Sequence, residues 1–186
     1  MAEVLAHAQQ LPDLVVVDPA LEASAPYPIL QALRGLPWPG GGMPMVALST
    51  ATVDHNDLFD AVLPDIADPT GMAVAIMAWS PIGLLDGITR LAGVFGEREI
   101  DALVVRFRRQ LAGAIAALDT IPDPIAAHQI AGIAGTLGFS RLGQSWLAVS
   151  EGDMAMCASA RREARVADYA LARAAHARRL LRSGSG

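Results

Sequence analysis

The chain has 186 residues, 53% of them hydrophobic, and a formal net charge of −5. The length allows one large domain or two small ones, and the composition is too apolar for disorder. No apolar run reaches membrane-spanning length, and the start, MAEVLAHAQQ, lacks the basic-then-apolar plan of a signal peptide. The single Cys157 excludes an internal disulfide and suits a reduced, cytoplasmic setting. Charge is divided unevenly. Residues 1–80 hold nine acids and one base, Arg34, a net of −8; residues 81–186 hold ten acids and thirteen arginines, a net of +3. That asymmetry predicts two units, and neither has the density of a basic nucleic-acid surface. The chain contains no lysine.

The first unit, 1–80, reads as α/β. LVVVD (14–18) and MVALS (45–49) are short apolar runs, and AVLP (61–64) is a third. Between the first two, YPILQALRGL (27–36) carries helical spacing at Ile29, Leu30, Leu33 and Leu36. Strands alternating with a helix predict a parallel sheet. PWPGGGMP (37–44) and DPTG (68–71) mark joints, GMAVAIMAW (71–79) reads as a closing helix, and WSPIG (79–83) sets the boundary.

The second unit, 81–182, reads as all-α. LLDGITRLAG (84–93) is a short helix. In 97–118 the positions Ile100, Leu103, Val104, Phe107, Leu111, Ala114 and Leu118 form one apolar stripe. Glu97, Glu99 and Asp101 suit its positive end. Asp123 and Pro124 read as the cap and first residue of a helix over 125–137, which Gly138 ends. Ser140 is positioned to cap the next helix, through about Glu151. A last helix runs from about Met156 to Leu181, and 183–186 read as a flexible tail.

The helix over 125–137 is unusual because it carries Gly132 and Gly135, each costing about 0.8–1.0 kcal/mol relative to Ala. On a helical wheel, Ala126, Ile130, Ile133, Ala134 and Leu137 lie opposite His128 and form the buried stripe. Ala131, Gly132 and Gly135 fall beside His128. The glycines serve either close packing within the protein or the approach of another protein to an outward histidine.

HQIAGIAGTLG (128–138) resembles the His-x-x-x-Gly-x-Ala-x-x-Leu-Gly pattern of histidine-phosphotransfer (HPt) domains. The resemblance spans roughly 84–182 and implies an antiparallel four-helix bundle with a short extra helix. It also implies that His128 is the phosphoryl acceptor, with Gln129, Ala131, Gly132 and Gly135 around it as a docking surface. Many members carry Lys three residues after the His; here that residue is Ala131. The partners implied are receiver domains of response regulators or hybrid histidine kinases, which bring the Asp, the Mg²⁺ and the cation. The chain would be a carrier in a phosphorelay rather than an enzyme. It would bind no cofactor or metal, no nucleic acid and no membrane.

LPDLVVVD (11–18) and MPMVALST (43–50) resemble the receiver domain of response regulators. Asp18 matches the family's phosphoacceptor and Ser49 its assisting hydroxyl. Where the family has Lys after the last strand, LPDI (63–66) offers Asp65. Residues 1–10 leave room for one helix but not for two further strands and the metal-binding acid pair. The first unit is therefore expected to be a truncated pseudo-receiver in which Asp18 takes no phosphate. The open edge of the 14–18 strand would be covered by the N-terminal helix or by another copy of the chain.

Other residues carry bland expectations. His7, His55 and His176 show no metal-ligand spacing with each other or with Cys157. Asp54, Asp57 and Asp60 read as a solvated acidic helix face. Ser145 and Ser150 have no triad arrangement. Arg161, Arg162, Arg165, Arg173, Arg178, Arg179 and Arg182 read as a solvated face of the last helix, or as a docking surface for an acidic partner. Two alternatives to a carrier remain: a non-phosphorylated module that regulates a kinase or receiver by binding, and an acidic structural oligomer.

Overall fold

A computed structural model of the chain describes residues 12–18, 27–37, 40–49, 58–63, 68–118 and 122–183, with the side chains of 81–83 and 176–183 outside the description. The expectations for residues 1–10, His7, Asp54, His55, Asp57, Asp65 and 184–186 lie outside these residues, as does the side chain of His176. The described residues form a three-stranded parallel sheet and a larger set of helices.

Strands β1 (Val15–Val17), β2 (Met45–Leu48) and β3 (Ala61–Leu63) are parallel and lie in sequence order, with Val16 opposite Val46 and Ala47 opposite Val62. The central β2 is apolar without alternation because both of its faces are covered. Met45 and Ala47 pack with Leu30 of helix α1 (Pro28–Arg34), Met43, Phe59 and Tyr169, while Val46 packs with Trp79 and Val166.

Asp60 corrects the expectation of a solvated acidic face. It sits just before β3 and is 8% exposed. Its Oδ2 accepts from Arg34 Nη2 and from the Met45 amide at 2.8 Å. Arg34 also donates to the carbonyls of Gly41, Met43 and Leu58. One guanidinium thus joins the end of α1, the Gly40–Gly42 turn and the entry to β3. Burial pushes the Asp60 carboxyl above its usual range, and Arg34 and the Met45 amide pull against that shift.

The DPTG joint also turns out to be a helix start. Asp68 accepts from the Thr70 and Gly71 amides and caps α2 (Pro69–Met77). Helix α3 (Pro81–Phe95) is longer than expected at both ends. Pro81 begins it, where a missing N–H costs nothing, so the proline starts a helix and does not merely interrupt one.

Helices α4 (Glu97–Ala117), α5 (Pro124–Leu137), α6 (Ser140–Ser150) and α7 (Cys157–Ser183) follow. The α4 stripe is as the spacing predicts: Ile100, Val104, Phe107, Leu111, Ala114 and Leu118 are buried, and Leu103 is half-buried. They meet Ile130, Ala134 and Leu137 of α5, Leu142, Trp146 and Val149 of α6, and Ala160, Ala164, Ala167 and Leu171 of α7. The small residues on α7 leave room for the large ones on α4 and α6.

Helix α7 belongs to both cores. Its alanines and Leu171 face the helical cluster, while Val166 and Tyr169 close the sheet's clusters. The Tyr169 hydroxyl donates to the Pro12 carbonyl at 2.6 Å, and burial pushes the phenol up to about 12. Arg173 pairs with Asp13 at 2.9 Å. Asp168 accepts both bonds of Arg108 on α4, at 2.6 and 3.1 Å. The side chains of Arg178, Arg179 and Arg182 lie outside the description, and the other four arginines of α7 are not a plain solvated face. Arg161, Arg162, Arg165 and Arg173 are half-buried, because α7 is enclosed by the sheet on one side and the other helices on the other.

Candidate functional site

The site is built on the α5–α6 hairpin. Asp123 Oδ1 accepts from the Ile125 amide at 2.9 Å and Pro124 opens α5, as the sequence predicts. Gly138 closes the helix with φ 90°, a conformation that favours glycine. Ser140 does not cap α6: it is the first helical residue, and the capping position is held by Phe139, whose ring is buried instead.

His128 is exposed, and its imidazole makes no hydrogen bond or ion pair to any described residue. Gln129, Gly132 and Gly135 are exposed on the same arc, with Ile125 and Thr136. A side chain added at Gly132 or Gly135 would meet no atom within 4 Å. Packing within the chain thus does not require these two glycines. The Thr136 hydroxyl folds onto the Gly132 carbonyl at 3.0 Å, which keeps that side of the arc low.

Ala131 is a correction. The wheel set it beside His128, but it is 9% exposed and belongs to the helical core. The buried positions are Ala127, Ile130, Ala131, Ala134 and Leu137, with Ala126 and Ile133 half-buried. The buried arc is rotated by about 60° from the direction opposite His128. The cause lies on α6: a Cβ at Gly143 would stand 3.3 Å from the Ala131 carbonyl and 3.5 Å from the Gly135 nitrogen. Gly143 brings α6 close to α5 on that flank, and Ala131 is covered by it.

Farther along the hairpin, α5 and α6 frame a shallow groove lined by Pro124, Ile125, His128, Gln129, Leu147, Ser150 and Glu151. Its apolar walls stand open, Ile125 being 70% and Leu147 40% exposed. The Ser150 hydroxyl is engaged by the Leu147 carbonyl at 2.7 Å. Among the described residues no arginine lines the groove, and Glu151 is the one formal charge that does. Sequence reasoning missed Ile125, Leu147 and Glu151, because it could not pair α5 with α6.

The sheet meets the other end of α6. The Arg141 guanidinium lies 3.6 Å over the Trp79 ring, donates to the Ala78 carbonyl and pairs with Glu163 at 3.6 Å. Ten residues separate Arg141 from Glu151, about 15 Å along the helix. The described part of the sheet unit contacts the start of α6, whereas His128 lies by its end.

Asp18 and Ser49 follow adjacent parallel strands, with Val17 opposite Ala47; Asp18 is exposed and Ser49 half-buried. Ser145 is buried and donates to the Leu142 carbonyl in its own helix. Among the described residues no three His, Cys, Asp or Glu side chains gather as a metal site, and no helix is long and apolar enough to cross a membrane. No family model matches the chain, and no curated protein or solved structure matches it either.

Proposed function

We propose that this chain is a phosphoryl carrier of a cytoplasmic phosphorelay, with His128 as the group that is loaded and unloaded. The observation that carries this reading is the exposed imidazole, without a partner among the described residues, on an arc where Gly132 and Gly135 face open space. Those glycines weaken α5 without relieving any contact, so an approaching partner is their best physical account. In loading, a receiver's acyl phosphate loses its P–O bond, an N–P bond forms on the imidazole, and the receiver's carboxylate is restored. Unloading is the reverse step on a second receiver. Mg²⁺ and the neutralising cation come from the receiver, since the groove itself offers neither. The helices α3–α7 then serve as an HPt-like bundle that holds one histidine clear of the core.

The sheet unit is proposed as a receiver-like scaffold that takes no phosphate. Three parallel strands in sequence order, the first two followed by Asp18 and Ser49, support the likeness. The outer edge of β1, where Val16 is 40% exposed, is the proposed homodimer contact. A second reading, a module that binds kinases or receivers without being phosphorylated, is favoured by the exposed Ile125 and Leu147.

Phosphotransfer profiling against isolated phosphorylated receivers, with wild type and His128→Ala side by side, decides between them. The carrier reading expects label on His128, none on Asp18, and loss of transfer in the variant with partner binding retained. Unchanged signalling by the variant supports regulation by occupancy instead. No binding to any receiver leaves the structural oligomer.

A further inference from the structure

We propose that Glu151 makes the phosphoryl group on His128 short-lived, so that the site is tuned to give the group away rather than to store it. The inference rests on His128 being the loaded residue. It begins with register. Gly143 lies across from Ala131 and Gly135. Each helix rises about 1.5 Å per residue, so seven or eight residues onward α6 comes level with the first turns of α5. There the groove gathers Leu147, Ser150 and Glu151 beside His128.

The chemistry of this neighbourhood is one-sided. The Ser150 hydroxyl is held by the Leu147 carbonyl. Glu151 spends its backbone amide on the carbonyls of Leu147 and Ala148 at the end of α6, and its exposed carboxylate has no partner among the described residues. No cation lines the groove to offset it.

A carboxylate placed there repels the phosphoryl oxygens of the phosphorylated imidazole, whose charge decreases as the N–P bond breaks. On transfer to water, that bond breaks, an O–P bond forms, and the imidazole leaves with a proton. Glu151 touches no reacting atom in this account; it is a positioning residue acting through the field.

The test needs no receiver. The full-length wild type and Glu151→Gln are loaded with potassium phosphoramidate, whose P–N bond breaks with loss of ammonia as the imidazole takes the phosphoryl group. His128 is the sole histidine between Arg109 and Arg141, so its tryptic peptide reports on it alone at neutral pH. In low salt the adduct in Glu151→Gln is expected to outlive the wild-type adduct by about three- to tenfold, the range for like charges across a solvated groove. The ratio should fall toward one in 1 M salt, and Glu151→Asp should stay close to wild type. Equal lifetimes, a longer-lived wild-type adduct or a salt-independent difference would overturn the proposal. So would failure of His128 to load while free imidazole does. If the lifetimes differ as expected but no receiver accepts the group, the carrier function fails and the effect of Glu151 stands.

Discussion

Glycines in neighbouring parts of this chain have opposite surroundings. At Gly87 on α3, a Cβ would stand 2.5 Å from the Leu137 carbonyl oxygen and 2.9 Å from the Gly138 Cα, and at Gly143 it would stand 3.3 Å from the Ala131 carbonyl oxygen of α5. At Gly132 and Gly135, a Cβ would meet nothing within 4 Å. The first group lets helices approach until their backbones touch. The second pair has no such use, although it weakens α5. An identical residue type, on neighbouring helices, thus separates an inner side shaped by packing from an outer side shaped by something the fold does not require.

Breaking the inner side should be costly. Asp168→Ala leaves Arg108 without its carboxylate beside a filled core, at a cost of about 2–3 kcal/mol, below the figure for a fully enclosed pair because Arg108 is 29% exposed. Chemical denaturation measures it. Gly87→Ala forces α3 away from the end of α5 and should cost about 1–3 kcal/mol, even though alanine is the better helix former. If it instead raised stability, the contrast between the two faces would collapse.

The outer side should respond with the opposite sign. Gly132→Ala and Gly135→Ala should each stabilise the fold by about 0.5–1 kcal/mol. Each should also slow transfer with receivers. A gain in stability with no loss of transfer would leave those glycines without the role proposed for them.

The smallest effect concerns pH. Burial raises the Glu163 carboxyl above its usual range, against the pull of Arg141. The folded chain therefore holds that proton more tightly than the unfolded chain. The resulting stability is present at low pH and is lost as pH rises through the folded value. Between pH 7 and pH 5, wild type should gain on Glu163→Gln by less than about 1 kcal/mol in paired melts.

Local chemistry made part of this legible. The α4 stripe, the Asp123–Pro124 start and the Gly138 end depend on residues within a turn or two of each other, and they appear in the structure where the spacing puts them. What escaped depends on contacts distant in sequence. Asp60 is buried because Arg34, 26 residues earlier, reaches it. Ala131 is covered because Gly143 lets another helix in. Arg161, Arg162, Arg165 and Arg173 are half-buried because both the sheet and the other helices pack against α7. Within the site, the outward direction of His128 was readable from one helix alone. The groove and Glu151 were not, since they exist only once α5 and α6 are paired.

Helix α7 limits how this molecule can be taken apart. A bundle transplanted without residues 12–80 would present the Tyr169 ring and Val166 to water, both now 1% exposed. A freestanding piece cut from 81–183 would thus need polar replacements at those two places to remain monodisperse, and fusing it to another protein would require that protein to offer a matching apolar seat.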